Sequence, residues 1–140
     1  MDIDLLGLAL LIAGAFGASI LYLFLIRQAS RSHRDKVIDL FKALGVGSTF
    51  SIIAALVLSF LMLIPIIVII IIVGGEESDS TIWAAVLVAP IAEELTKGVG
   101  VMFFRKRFTG LESGLIYGAC IGLGFAAVEN VLYGFEQLTS

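Results

Sequence analysis

The chain is organised by four long apolar stretches separated by short polar ones. They lie approximately at residues 5–26, 46–73, 82–104 and 114–135. A hydrocarbon layer about 30 Å thick takes roughly 20 helical residues at 1.5 Å each to cross. A strand exposed to lipid would leave its backbone groups unpaired, so each stretch is predicted to be a helix. The pattern therefore predicts an all-α polytopic membrane protein with four transmembrane helices, in which residues 1–140 form one domain.

The region around the second apolar stretch departs from a simple span in two ways. The stretch is longer than an upright helix needs, and Pro65 removes one backbone hydrogen bond within it, so we expect this helix to tilt or kink. Before the stretch, apolar residues repeat at helical spacing, at Val37, Leu40, Phe41 and Leu44. This spacing predicts a short amphipathic helix within residues 27–45, at the inner membrane surface.

The charged residues between the spans predict the orientation of the chain. Apart from Lys97, the basic residues lie in two loops, at Arg27, Arg31, Arg34, Lys36, Lys42, Arg105, Lys106 and Arg107. The remaining loop, residues 74–81, carries only acidic charges. Because cytoplasmic loops carry an excess of Lys and Arg, both termini are predicted to face outward.

Composition supports the membrane class and excludes other classes of protein. Hydrophobic residues make up 59% of the chain and charged residues 15%, and the mean hydropathy is +1.08. The net charge is −3 and the basic residues form two short clusters, so no nucleic-acid interface is predicted. Cys120 is the single cysteine, which excludes an intrachain disulfide and a CxxC-type metal site.

The candidate functional residues are the charged and amide side chains inside the last two spans, Glu93, Glu94, Lys97, Glu129 and Asn130. A charged side chain at the bilayer centre costs about 2.5 to 3.5 kcal/mol, so three carboxylates nominally cost something like 8 to 10 kcal/mol. A structural ion pair remains an alternative for Glu94 and Lys97. One lysine cannot compensate three carboxylates, however, so we expect the acids to have a function.

The carboxylates of both spans are predicted to share one cavity that opens outward. Glu93 and Glu94 lie about 17 Å below the outer boundary and Glu129 roughly 9 Å below it, an offset that tilt and side-chain reach can absorb. The fourth span also carries small residues on the face of Glu129, at Gly114, Gly118 and Gly122. Such a stripe lets another helix approach closely, so Glu129 is expected to point toward the third span.

Two motifs in this region resemble a known family. They are the EExxK motif in "EELTK", from Glu93 to Lys97, and the glycine-rich segment "GLGFAAVEN", from Gly122 to Asn130. Together they resemble the PrsW family of intramembrane proteases, which is related to the type II CAAX prenyl endopeptidases. The resemblance implies peptide-bond hydrolysis within a prokaryotic cell membrane, on a membrane-anchored protein substrate such as an anti-sigma factor.

The resemblance also implies roles for the candidate residues. Glu93 or Glu94 would be the general base that activates a water molecule, with Lys97 orienting one of them. Glu129 would be the partner of this base or a metal ligand, and Asn130 would donate to the oxyanion. A divalent metal such as zinc would be held by Glu93, Glu94 and Glu129, although three oxygen ligands suit zinc less well than sites with histidine.

The sequence departs from the family pattern after the fourth span. Family members continue into further helices, one of which bears a histidine motif, whereas this sequence ends at "EQLTS". Three explanations stay open: a fragment, a homo-oligomer or partner chain that supplies the missing helices, or a reduced and inactive relative. Two functions remain as alternatives to a protease, namely a non-catalytic membrane scaffold or binding subunit and a small ion or proton pathway.

Overall fold

The computed structural model describes residues 5–30, 35–75 and 77–139, without the side chains of residues 77–79. All secondary structure in these ranges is helical, which confirms the predicted all-α class for the described part of the chain. The α-helices are α1 (Leu5–Ala29), α2 (Val37–Val46), α3 (Ile52–Val73), α4 (Glu77–Trp83), α5 (Ala89–Met102) and α6 (Leu111–Thr139). A short 3₁₀ turn, Arg105–Arg107, connects α5 to α6.

Two wide π-helical turns join these helices into longer ones. Gly47–Ser51 continues α2 into α3, and Ala84–Val88 continues α4 into α5. One continuous helix therefore runs over Val37–Val73. The amphipathic helix predicted within residues 27–45 is present as α2, but it continues into the following span and is not a separate segment.

The apolar face of α2 packs inside the bundle. Leu40, Ala43 and Leu44 are buried, and α2 packs against α6. The repeat of apolar residues at helical spacing therefore marks the side of α2 that contacts protein.

The long helix continues through its proline and ends at a glycine. α3 includes Pro65 without a break, and the predicted tilt or kink at this residue stays a prediction. The wide turn of the long helix lies at Gly47–Ser51. Beyond α3, Gly74 has a φ of 76°, and the Gly75 N–H donates a 2.9 Å hydrogen bond to the Ile70 carbonyl. Only glycine adopts this left-handed conformation readily, so Gly74 determines where the helix ends.

Three helices in the described ranges are long and apolar enough to cross a membrane: Leu5–Ala29, Val37–Val73 and Leu111–Thr139. The chain is therefore an integral membrane protein. The span predicted at residues 82–104 corresponds to the end of α4, the wide turn and α5, with the helix ending at Met102. Three charged residues in α5 make this run less apolar than the others, so a fourth span remains a prediction.

α6 is the central helix of the bundle. It packs against α1, α2, α5 and the wide turn Gly47–Ser51. Its buried side chains include Tyr117 and Ile121, which form a core with Leu23 and Leu40. Most large side chains of α3 are exposed, as at Phe60, Leu61 and Ile72. In a bilayer these residues would face lipid, which favours apolar side chains at such positions.

A close backbone approach between α6 and the long helix depends on two glycines. A Cβ atom on Gly47 would overlap the backbone carbonyl of Ile121, and one on Gly124 would overlap the carbonyl of Leu44. The two helices therefore meet backbone to backbone at reciprocal positions. Any larger residue at either glycine would force these helices apart.

The glycine stripe predicted from the sequence does not have this role. A Cβ on Gly114 would lie 3.6 Å from the Phe108 ring and one on Gly118 would lie 3.7 Å from Val101, which are ordinary contact distances. A Cβ on Gly122 would meet no atom of another helix within 4 Å. The predicted close approach of another helix backbone along this stripe is wrong, because Gly114 and Gly118 face side chains and the backbone contact is on the face of α6 that bears Gly124.

The two basic loops meet at one end of the bundle. Asp39, whose side chain is only 7% exposed, pairs with Arg107 and lies 3.7 Å from the Lys42 ammonium. The Ser113 hydroxyl donates hydrogen bonds of 3.4 Å to the Asp35 carboxylate. We call these five residues the aspartate cluster. Both loops lie on the same side, as predicted, although Arg31 and Arg34 lie outside the described residues and the outward orientation of the termini stays a prediction.

Candidate active site

A partly open cavity of about 290 Å³ lies between α3, α5 and α6. Its lining residues are Ile52, Ala55, Leu56 and Ser59 of α3, Ala89 and Glu93 of α5, and Phe125, Glu129, Leu132 and Tyr133 of α6. The wall is largely apolar, and it contains one carboxylate from α5 and one from α6. The structure thus places Glu93 and Glu129 on the same cavity.

The start of α5 determines where Glu93 lies. Pro90 occupies the first turn of α5, directly after the wide turn Ala84–Val88. Proline has no N–H to donate, and the first turn of a helix is where this loss costs least. Ala92 is fully buried, so the next residue, Glu93, lies at the edge of the packed face.

Hydrogen bonds fix α5 against the wide turn that leads into α3. The buried Ser51 hydroxyl donates to the Thr96 carbonyl at 3.4 Å, and the Thr96 hydroxyl donates to the Glu93 carbonyl at 3.0 Å. At Gly100 a Cβ would lie 3.0 Å from the Ser51 oxygen, so the absence of a side chain there allows close packing. The backbone that bears Glu93 is therefore held from its C-terminal side.

Lys97 connects the acids of α5 to α6. Its ammonium lies 2.9 Å from Glu94 Oε1 and 3.6 Å from Glu93 Oε2. It also lies 4.2 Å from the centroid of the Phe125 ring. One cation thus contacts both glutamates of the EExxK motif and an aromatic ring of the neighbouring helix.

The two adjacent glutamates have different surroundings. The Glu93 side chain is 28% exposed and lines the cavity, whereas the Glu94 side chain is 76% exposed and does not. Successive residues of a helix point about 100° apart, so Glu94 is directed away from the cavity wall that Glu93 lines. Within this pair, Glu93 is the residue that shares a cavity with Glu129.

Asn130, the predicted oxyanion donor, is exposed and is not among the lining residues. Ser59 and Phe125 line the cavity but were not predicted as site residues. Phe125 lies four residues before Glu129, and this helical spacing could have indicated it. Ser59 lies within a long apolar run, and no signal in the sequence distinguishes it.

The predicted metal ligands do not come together as a set. Within the described ranges, no group of three or more His, Cys, Asp or Glu side chains is arranged to hold a metal ion. Glu94 contacts Lys97 instead of the cavity, so the predicted set of Glu93, Glu94 and Glu129 is not assembled. Structural zinc sites usually have four protein ligands and catalytic ones three, and the cavity offers two carboxylates.

Comparisons with known proteins connect this site to one family. The family model described as "PrsW family intramembrane metalloprotease" matches residues 35–140. The chain is also 30% identical over 118 residues to "Protease PrsW" of Clostridioides difficile (strain 630), which covers 82% of this chain and 46% of that protein. The chain thus spans about half the length of the curated relative that it matches. No solved structure shows significant similarity to it.

Proposed function

The chain belongs to the PrsW family of intramembrane metalloproteases, and on that premise we propose that it hydrolyses a peptide bond in a membrane-anchored protein. Family membership confirms the resemblance drawn from the two sequence motifs. The observation that carries the proposal is the cavity shared by Glu93 and Glu129. Two carboxylates on one largely apolar cavity can divide the work of moving protons in a hydrolysis.

In the proposed reaction Glu93 is the general base. Its carboxylate takes a proton from a water molecule while the water oxygen attacks the carbonyl carbon of the substrate. As the C–N bond of the tetrahedral intermediate breaks, Glu93 returns this proton to the leaving nitrogen. Glu129 faces the same cavity and is proposed to hold the water or the substrate carbonyl by a hydrogen bond.

The sequence left the base open between Glu93 and Glu94, and the exposure of the two side chains favours Glu93. Glu94 is proposed to bind Lys97 from the exposed side of α5, while the ammonium stays 3.6 Å from Glu93. Lys97 thereby orients Glu93. Because the described residues do not complete a metal site, no step of this proposal passes through a metal.

The surroundings of the cavity support a substrate that lies in the membrane. The cavity is walled partly by α3, whose other side chains are apolar and largely exposed. A transmembrane segment could reach such a cavity from the lipid without leaving the apolar phase. A single-span anti-sigma factor is the substrate class to test first, with both termini of this chain facing outward.

Reconstitution in liposomes with a library of single-span substrates would test the proposal. We expect Glu93→Gln to slow cleavage by about 10² to 10⁴-fold, the usual contribution of general acid–base catalysis. Glu136→Gln is the matched control, because Glu136 is an exposed acid of α6 that does not line the cavity. It should cleave like the unchanged protein.

Three outcomes would contradict the proposal. Equal cleavage by Glu93→Gln and the unchanged protein would remove Glu93 as the base. Stable capture of a substrate without any cleavage would favour the scaffold alternative. Acid-dependent ion flux through liposomes that contain the protein alone, lost in Glu93→Gln, would favour the ion pathway.

A further inference from the structure

We propose that Phe125 is a positioning residue whose ring holds the Lys97 ammonium beside Glu93, so that this carboxylate stays directed into the cavity. The inference rests on the proposed function of the same site. It assigns to an uncharged aromatic residue of α6 the task of selecting between two carboxylates of α5.

The geometry of the ring supports this role. The Lys97 ammonium lies 4.2 Å from the ring centroid, within the distance of about 6 Å at which a cation is attracted to an aromatic face. Phe125 is only 2% exposed, so its ring is fixed by the packing around it. A cation held by such a ring is therefore fixed across the interface between α5 and α6.

Lys97 needs this support because its two carboxylate partners pull it in different directions. Glu94 is the nearer partner, at 2.9 Å, and its side chain is mostly exposed, whereas Glu93 is 3.6 Å away and faces the cavity. The lysine stem is flexible and could follow Glu94 away from the bundle. The Phe125 ring opposes this movement, because the ammonium would lose its attraction to the ring.

Packing alone is the competing explanation, since any large apolar side chain could fill the same space. The two explanations differ in what they require of the ring. A cation is attracted to the negative face of an aromatic ring, and fluorine substituents weaken this negative face while changing the volume little. A packing role depends on volume and not on ring electronics.

The first experiment replaces Phe125 with phenylalanines that carry one, two and three fluorine atoms, together with Phe125→Leu and Phe125→Tyr. We expect kcat to fall stepwise with fluorination, by about 2- to 30-fold in total, while KM changes little. Tyrosine, which keeps the ring, should retain most of the activity that leucine loses. A kcat that is insensitive to fluorine while Phe125→Leu is impaired would overturn the proposal.

Phe104 offers a matched control for the fluorinated residues, because it is buried like Phe125. Its ring stacks on the ring of Tyr117, with centroids 5.0 Å apart, and it does not line the cavity. Trifluorinated Phe104 should therefore leave kcat unchanged. A fall in kcat equal to that at Phe125 would mean that fluorination acts through general stability, and it would also overturn the proposal.

A double-mutant cycle tests whether Phe125 acts through Lys97. Lys97→Met removes the charge and keeps a similar side-chain length, so Phe125→Leu should have no further effect on kcat in that background. The same cycle is measured on the unfolding midpoint in detergent, where it needs no turnover. If the unchanged protein cleaves no substrate, the proposed function fails on its own, and additive effects of the two substitutions on unfolding would still overturn the contact between Phe125 and Lys97.

Discussion

Acidic side chains cluster at two places in this bundle, and their partners differ. In the aspartate cluster, the nearly buried Asp39 has two cations of its own, Arg107 and Lys42. At the cavity, Lys97 is the one cation with described ion pairs to Glu93 and Glu94, and Glu129 has no described ion pair. The acids of the aspartate cluster are therefore balanced by cations, whereas the cavity region has more carboxylates than cations.

The difference shows which acids hold the fold together and which are available for chemistry. A buried ion pair is costly to break because the partner left behind is uncompensated. An acid without a full set of partners does not stabilise the folded protein, and its carboxylate is available to exchange a proton with water. Substitutions at the first site should therefore lower stability, and substitutions at the second should lower activity.

The largest expected effect separates Glu129 from Glu94. Glu129→Gln should reduce cleavage by about 10² to 10⁴-fold, since it removes a carboxylate from the cavity. Glu94→Gln should change cleavage by less than about fivefold, because the Glu94 side chain is 76% exposed and ion pairs of exposed carboxylates contribute about 1 kcal/mol or less. Initial rates in liposomes measure both, and equal losses in the two variants would contradict the division between the two acids.

A second prediction concerns stability in the aspartate cluster. Arg107→Met should lower the free energy of unfolding by about 2 to 4 kcal/mol, because the Asp39 carboxylate stays nearly buried with only Lys42 beside it. Asp39→Asn removes the buried charge itself and should cost only about 1 kcal/mol. Unfolding titrations in detergent would check this order, and Glu129→Gln measured in parallel should show no loss of stability. Equal costs for Arg107→Met and Asp39→Asn would mean that the cluster is not organised around a buried carboxylate.

The smallest effect tests the contact that holds both sites in one bundle. Gly124→Ala should destabilise the protein by about 1 to 3 kcal/mol, since its Cβ would overlap a backbone carbonyl that cannot rotate away. Gly122→Ala, two residues earlier, should leave stability unchanged or raise it by up to about 1 kcal/mol, because alanine favours a helix over glycine. The thermal unfolding midpoints of both variants would test this order of stability. The opposite order would disprove the described packing of α6 on α2.

Sequence patterns predicted the helices well and their faces less well. The apolar runs were long enough to indicate helices, but their pattern did not show that α2 continues into α3 or that α6 covers its apolar face. Regular spacing indicated a packing face at Gly114, Gly118 and Gly122. The glycines that allow the close backbone contact, Gly47 and Gly124, lie instead in different helices. Only the packed structure shows which face of α6 meets a neighbour.

The candidate site was predicted in part for a similar reason. The sequence predicted that Glu93 and Glu129 lie at similar depths in the membrane, because the depth of a helical residue follows from its number. Depth alone does not distinguish neighbouring residues that face different ways, and this is why Glu94 and Asn130 were grouped with residues that face elsewhere. The 100° step between neighbours was a signal already present in the sequence. The pairing of Asp39 with Arg107 joins distant segments and had no such local signal.

The wide turn Ala84–Val88, which precedes the acids of α5, has a consequence for insertions and deletions. A π-helical turn accommodates one extra residue within a helix, so all residues after it are rotated by about 100° relative to a regular helix. Loss of a single residue from this turn would rotate Glu93 out of the cavity wall while leaving its motif intact. The site therefore depends on the number of residues between Trp83 and Glu93 as well as on the identity of the acids.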